Sequence, residues 1–251
     1  MTLLHLVQLQ QTSILEQLQI EEALLRADSR NWCLINEGTS PAIVMGISGQ
    51  PEKLIHSHKL KTHPVPVIRR FSGGGTVFVD EQTYFVTFIC NTNFIPISPF
   101  PNSIMQWSAQ LYRSLLEPHP FNLQENDYVL GMQKFGGNAQ SICKERWLHH
   151  SSLLWDYSPA NMDYLLFPPK TPLYRQQRSH TEFLCSLCQY WPSKVMFKEA
   201  LLEQIYKTFQ VQEVIKEEIV EVLKRPHRQA TCLLDPPLNP VGHQPLSRYH
   251  I

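Results

Sequence analysis

Half of the glycines in this chain, five of ten, sit in two short segments beside the residues best equipped for chemistry. The first segment is Arg69-Arg70-Phe71-Ser72-Gly73-Gly74-Gly75-Thr76-Val77-Phe78. Three consecutive glycines let the backbone turn through φ values closed to other residues and approach a ligand with no Cβ in the way. Consecutive free N–H groups in such a turn form a concavity suited to phosphate or carboxylate oxygens, and two arginines at its entrance add charge and a fork of donors. The second segment is Lys134-Phe135-Gly136-Gly137-Asn138-Ala139-Gln140. Here a lysine stands beside a Gly-Gly turn in an apolar, strand-like setting, where an ammonium can stabilise negative charge developing on a carbonyl or phosphate oxygen. Each segment also has a plain reading, as a hairpin turn with solvated arginines or as a strand-edge lysine in water. The concentration of glycine in both favours a ligand site over turns alone.

Three further groups bear on chemistry. Asn126-Asp127 precede the lysine segment by one short strand, and an adjacent amide and carboxylate offer hard oxygen ligands for Mg²⁺ held mainly by substrate phosphates, or else a simple turn. His149-His150 end a strand, and neighbours on a strand point to opposite faces. The pair is therefore a poor two-histidine metal site, and one of the two is expected to be a hydrogen-bonding wall of the cleft. Cys185-Ser186-Leu187-Cys188 has the spacing of a dithiol or half a zinc site, but no second pair at zinc spacing accompanies it.

The elements that must position these residues follow from periodicity. Apolar residues at helical spacing predict a helix over residues 13–27, a second over 102–116 and a third over 193–209. Strands are expected at 32–35, 42–46 and 65–68, with 76–79 and 84–90 forming a hairpin around Asp80-Glu81-Gln82. A second set is expected at 126–130, 133–135, 139–142, 146–150 and 153–157. A Pro-rich passage from 159 to 172 is expected to wrap the surface. Strands outnumber helices and are joined by hairpins, which predicts an α+β domain with a mixed, mostly antiparallel sheet packed with helices.

A chain of 251 residues that is 43% hydrophobic can bury a full core as one large domain. The expected division is a catalytic domain over 1–224, its core at about 30–215, followed by a Pro-rich, mostly irregular tail over 225–251. Formal net charge is zero, so no basic stripe argues for nucleic acid, and no apolar run reaches the length of a membrane span. Six scattered cysteines and no visible leader suggest a reducing compartment, with cytoplasm the default expectation and the mitochondrial matrix the alternative.

Taken in order, Arg69-Arg70-x-Ser72-Gly73-Gly74-Gly75, Asn126-Asp127, Lys134-x-x-Gly137-x-Ala139 and His149-His150-x-x-Leu153-Leu154 resemble the lipoate–protein ligase A branch of the biotin/lipoate ligase superfamily over roughly residues 30 to 215. The resemblance implies a ligase that joins ATP and lipoate (or octanoate) into an acyl-adenylate and passes the acyl group to one lysine of a lipoyl domain. The implied acceptors are apo lipoyl domains of 2-oxoacid dehydrogenase E2 subunits or a glycine-cleavage H protein, and the ligase itself is expected to be a monomer. By the same comparison Arg70 and Gly75-Thr76-Val77-Phe78 contact the nucleotide, together with the Ser72-Gly73-Gly74 turn. Lys134 is then the catalytic cation, Gly137, Asn138, Ala139 and His150 line the substrate site, and Asn126 and Asp127 lie near magnesium.

This sequence departs from the family pattern in places. Val79 stands where the family often has histidine, and Gly136-Gly137-Asn138 replaces Ser-Gly-Ser, which suggests a more flexible loop. Longer members carry a C-terminal accessory domain that assists adenylation, and the tail here is too short to replace it. Activation then proceeds without that domain, or a separate accessory protein supplies it, or the chain only transfers a pre-activated acyl group. Two alternatives to the ligase stay open. One is an octanoyl- or lipoyltransferase, for which Cys143 is the only nearby thiol; the other is a non-catalytic, ligand-binding relative. A biotin ligase fits less well, because its glycine–arginine loop has a different pattern.

Overall fold

The computed structural model describes residues 3–234. Strand β1 (Leu3–Gln10) leads into helix α1 (Ile14–Ala27), whose first turn is capped by the Ser13 hydroxyl accepting the Glu16 amide at 3.3 Å. Strands β2 (Asn31–Glu37) and β3 (Ala42–Met45), short helices α2 (Pro51–Leu54) and α3 (Ser57–Thr62), and strands β4 (Val67–Arg69), β5 (Val77–Val79) and β6 (Thr83–Asn91) follow. Helix α4 (Pro101–Leu116) precedes β7 (Phe121–Gln124), β8 (Asp127–Leu130), β9 (Gln133–Ile142) and β10 (Arg146–Leu154). Then come α5 (Pro159–Met162), a 3-10 turn at Leu173–Arg175, α6 (His180–Phe183), a second such turn at Leu187–Gln189, α7 (Lys194–Thr208), β11 (Gln210–Glu213), α8 (Lys216–Leu223) and β12 (Cys232–Leu234).

The strands form an eight-stranded sheet, in the order β11-β1-β2-β6-β10-β9-β8-β7, and a four-stranded sheet, β12-β4-β3-β5. Among the described strands only β1–β11, β1–β2 and β3–β4 pair in parallel, so the architecture is the expected mixed, mostly antiparallel α+β. The large sheet is buried on both faces because its central strands alternate two apolar sets. From β6, Tyr84, Val86, Phe88 and Cys90 pack with Ile104 and Tyr112 of α4 and with Phe197 and Leu201 of α7. On the other face Ile89 and Leu148 meet Ile20 and Leu24 of α1 and Ile219 and Val222 of α8. The small sheet joins that second face through Ile43, Val67 and Phe78, which share a core with Val129 of β8. No helix of the described residues is long and apolar enough to cross a membrane.

Several expectations are corrected. The segments at 76–79 and 84–90 are not a hairpin: β5 pairs with β3 in the small sheet, whereas β6 lies between β2 and β10 in the large one. A strand buried on both faces needs neighbours on both edges, and the Asp80 turn carries the chain from one sheet to the other, with the Thr83 amide on the Asp80 carbonyl at 3.0 Å. The lysine segment is not a turn between two strands but the interior of one long strand, β9, and β10 is likewise continuous. Strands β1, β7 and β11 were not anticipated, being short or lacking a clean alternation. The tail is not irregular throughout: β12 pairs with β4, and the buried Glu22 carboxylate accepts the amides of Ala230 and Thr231 at 2.9–3.0 Å. The rest of the expected irregular tail, 235–251, lies outside the described residues.

Candidate functional site

The two glycine-rich segments meet where the loop after β4 lies against β9. The loop is anchored at its base by the Arg70 amide on the Met45 carbonyl at 2.9 Å and the Ile47 amide on the Ser72 carbonyl at 3.0 Å. Gly74 needs to be glycine, since its φ is +108°. At Gly73 and Gly75 an added Cβ would meet nothing within 4 Å, so the protein leaves open the space a ligand would use. None of the amides of Gly73, Gly74 and Gly75 donates to another group among the described residues. Thr76 adds a buried hydroxyl with no partner among the described residues. The buried Arg70 is not aimed outward as expected: its Nε and Nη2 donate to the Gly73 carbonyl at 3.2 and 2.8 Å, and Nη2 also to the Gly75 carbonyl at 2.9 Å. Burial pushes its guanidinium down to about 10, with the Glu21 carboxylate opposing that shift. The arginine therefore stays charged at neutral pH and shapes the turn.

Lys134 reaches the same cleft because β9 is irregular. The register pairs Asp127 with Gly137 and Val129 with Lys134, leaving Phe135 as an extra residue. On an unbroken strand, residues three apart point to opposite faces; the bulge shifts the alternation, so Lys134, Gly137 and Asp127 share one face. The Lys134 Nζ bonds Asp127 Oδ1 at 2.8 Å and lies 3.3 Å from where a Gly137 Cβ would stand. Gly137 is thus glycine so that the ammonium can lie across the strand. A Cβ added at Gly74 would stand 3.5 Å from the Asn138 carbonyl oxygen, so the two segments are neighbours. Tyr174 completes the group, its hydroxyl donating to Asp127 Oδ2 at 2.9 Å.

His150 and Ala139, paired across β10 and β9, lie on the face of Lys134. The His150 Nδ1 lies 3.0 Å from both Glu21 Oε1 and the Thr87 hydroxyl, and that hydroxyl donates to Glu21 Oε1 at 2.8 Å. Gln17 and Asn36 extend the same buried network. His149 faces the opposite way, as strand alternation requires. Its Nε2 lies 3.0 Å from the hydroxyls of Ser108 and Tyr128, and burial, helped by His150, holds it down at about 3, so the ring is neutral.

Not every expected residue presents its side chain to the cleft. The Asn138 side chain lies on the His149 face, accepting from Ser151 at 2.8 Å and donating to the Asn126 carbonyl at 3.1 Å. Phe78 is core, stacked on Tyr164 with ring centroids 5.2 Å apart, and Val77 packs against the cluster of Val44, Ile68 and Val79. Ser72 is buried and acts through its carbonyl. Among the described residues no group of three or more His, Cys, Asp or Glu could hold a metal. Each Asp127 oxygen already has one partner, and a carboxylate oxygen can accept two. With the exposed Asn126, the donor set therefore suits a magnesium ion completed by substrate phosphates, not a cage of protein ligands.

Sequence reasoning missed Glu21 and Tyr174. Glu21 lies three residues after Leu18 and four before Leu25, which is the core face of α1, and that spacing could have marked it. Nothing local marks Tyr174, because only tertiary contact brings its loop to Asp127. Among the thiols, Cys185 adjoins the lysine segment, its amide on the Lys134 carbonyl at 2.9 Å and its thiol on the Gln133 carbonyl at 3.5 Å. Cys143 is beyond the far end of β9, about 30 Å along the strand from Lys134, and Cys188 is exposed. Cys185 is buried, which pushes its thiol up to about 11.

Proteins of known description share this arrangement of elements. A solved structure described as a bi-partite lipoate protein ligase of Thermoplasma acidophilum, studied with its E2 lipoyl domain, matches with a TM-score of 0.72 at 16% identity, covering 89% of this chain and 91% of that one. A crystal structure of lipoate–protein ligase A bound with ATP matches with a TM-score of 0.69 at 17% identity over 89% and 92% of the two chains. At these identities the likeness is one of fold. In sequence, the chain is 27% identical over 246 residues to a Plasmodium falciparum protein named inactive lipoate–protein ligase 2, covering 74% of this chain and 63% of that one. The chain thus spans less than two thirds of that curated relative's length. Residues 13–210 run from the cap of α1 to the start of β11 and carry both glycine-rich segments, Lys134 and its partners; they match the family model described as the lipoyl protein ligase A/B catalytic domain, and the chain belongs to that family.

Proposed function

We propose that this protein joins lipoate, or octanoate, to ATP as an acyl-adenylate and passes the acyl group to a lysine of a lipoyl domain. The observation that carries this reading is the Lys134 ammonium, laid across Gly137 beside a turn of uncommitted glycine amides. In the first step a carboxylate oxygen attacks the α-phosphorus and the bond to pyrophosphate breaks. Two anions must approach one another, and the cleft offers Lys134 and the Gly73–Gly75 amides to receive them. In the second step the acceptor amine bonds the acyl carbon, AMP leaves with the electrons of the anhydride C–O bond, and the amine proton passes to solvent. The carbonyl oxygen gains charge as the amine attacks, and Lys134 is suited to stabilise it. Magnesium, held by Asn126, Asp127 and the phosphates, would neutralise phosphate charge.

The acceptor is proposed to be a lipoyl domain of an E2 subunit or of a glycine-cleavage H protein, in keeping with the lipoyl domain paired with the archaeal relative. A separate accessory protein assisting adenylation is proposed on the same ground, since that relative is described as bi-partite. A second reading, a non-catalytic relative, draws on the name of the Plasmodium protein. Against it, the amides of Gly73, Gly74 and Gly75 serve no other group among the described residues, an arrangement that the fold alone does not need.

The test is incubation with ATP, Mg²⁺, lipoate and an apo lipoyl domain, read as a mass shift on the acceptor. Activity only with preformed lipoyl-AMP would move the assignment to a transferase, and no shift with either donor would favour the non-catalytic reading. Lys134→Ala is expected to abolish transfer while the protein remains folded, and full transfer by that variant would refute the site.

A further inference from the structure

Two arginines sit in the loop that brings Tyr174 to Asp127, and the structure treats them differently. Arg178 is fully engaged: Nη1 donates to the Met132 carbonyl at 2.9 Å, Nη2 to the Tyr174 carbonyl at 2.8 Å and Nε to the Arg175 carbonyl at 3.0 Å. Arg175 returns one bond, from Nε to the Arg178 carbonyl at 3.0 Å. Its Nη2 is buried with no acceptor, and its Nη1 donates to no group among the described residues. The residue is only 4% exposed, with its guanidinium carbon 4.5 Å from the Phe167 ring centre and 4.8 Å from that of Phe183.

A buried guanidinium with its paired edge unmatched has given up water without receiving hydrogen bonds in return. Stacking between rings supports the faces of the guanidinium and leaves its edge unsatisfied. Asp127, whose charge acts on Arg175, already serves Lys134 and Tyr174. The backbone that holds the arginine is itself strained, since Gln176 and Gln177 are consecutive non-glycine residues at φ 52° and 61°.

We propose that Arg175 is a phosphate-binding residue of the cleft, its Nη1–Nη2 edge donating in parallel to two oxygens of the nucleotide's phosphates. This rests on the nucleotide reading given under Proposed function. A guanidinium fork matches tetrahedral phosphate oxygens. Its neighbour Tyr174 touches the counter-ion of Lys134, which brings the loop that carries the fork to the ammonium's side of the cleft. Phe183 is buried and Phe167 is 49% exposed, so the fork is reached from the Phe167 side.

The experiment is isothermal titration of the full chain, and of its Arg175→Met and Arg175→Lys variants, with ATP, adenosine and inorganic pyrophosphate. Methionine keeps an apolar side chain between the two rings, and lysine keeps the charge without the fork; melting temperatures are recorded alongside. Arg175→Met is expected to weaken ATP and pyrophosphate by about tenfold or more and to leave adenosine unchanged, with Arg175→Lys between it and the wild type. The proposal is overturned if ATP and pyrophosphate bind the methionine variant as they bind wild type, if ATP and adenosine weaken together, or if the wild type binds neither anion. Pyrophosphate binding that depends on Arg175 in a protein unable to form an acyl-adenylate would refute the ligase and keep this site. Undiminished adenylation and ATP binding by Arg175→Met would do the reverse.

Discussion

Replacing Gly46 by alanine isolates the position of the triple-glycine turn from the stability of the domain. A Cβ at Gly46 would stand 2.4 Å from the Gly74 carbonyl oxygen, 3.3 Å from its carbon and 3.4 Å from its nitrogen. All three are backbone atoms, so no rotamer change relieves the contact, and clearing even 3.0 Å requires a retreat of about 0.6 Å. Gly46 follows β3, which is buried along its length between β4 and β5, whereas Gly74 is on an exposed turn. The turn should therefore give way, carrying with it the Gly73 and Gly75 carbonyls that Arg70 holds. Overpacking of this kind costs about 1–3 kcal/mol, and an exposed loop should bring it to the lower end, a fall in melting temperature of about 2–4 °C. Misplacement approaching an ångström at a reacting centre can cost on the order of 100-fold in rate. The expected result of Gly46→Ala is thus a modest thermal shift with acyl transfer reduced about 10- to 100-fold. Transfer within twofold of wild type in Gly46→Ala, at whatever thermal cost, would show that the turn's position is immaterial to the chemistry.

Two other outcomes follow from burial. The His149 ring refuses a proton until about pH 3, while in the unfolded chain it titrates near 6.5. Unfolding then takes up a proton below pH 6.5, so the histidine's contribution to stability is complete above that value and declines as pH falls towards 3, by up to about 1.4 kcal/mol per pH unit. Denaturant melts at pH 7.5, 6 and 5 should show this slope in wild type and a shallower one in His149→Gln; equal slopes would assign the acid sensitivity to other groups. Alkylation at pH 8 should label the exposed Cys143, Cys188 and Cys232 while Cys33, Cys90 and Cys185 resist. Labelling of Cys143 should leave acyl transfer intact, and its loss on labelling would revive a thiolate mechanism.

Much of the candidate site was legible because its residue types are unusual for their surroundings. Glycines clustered beside Arg70 and Lys134 have a local meaning, and the helices and central strands follow from periods of 3.6 and 2. The Phe135 bulge was not legible, because a bulge is a relation between two strands. Without it Lys134 would be assigned to the face opposite Asp127 and Gly137. Nor was β9 legible as one strand: Gly136 reads as a breaker, yet the Tyr128 and Leu153 side chains cover it where a Cβ would clash at 2.8–3.0 Å. Glu21 carries a charge that belongs in water, yet its carboxylate is buried between His150 and Thr87. The amino-acid sequence alone determined which chemical groups this protein can bring to a substrate and the class of fold that carries them, since composition and periodicity are properties of neighbours in the chain. Which of those groups meet, which face each one takes, and which arginine keeps a free edge were decided only by tertiary structure, because pairing register and loop docking join residues that no local rule connects.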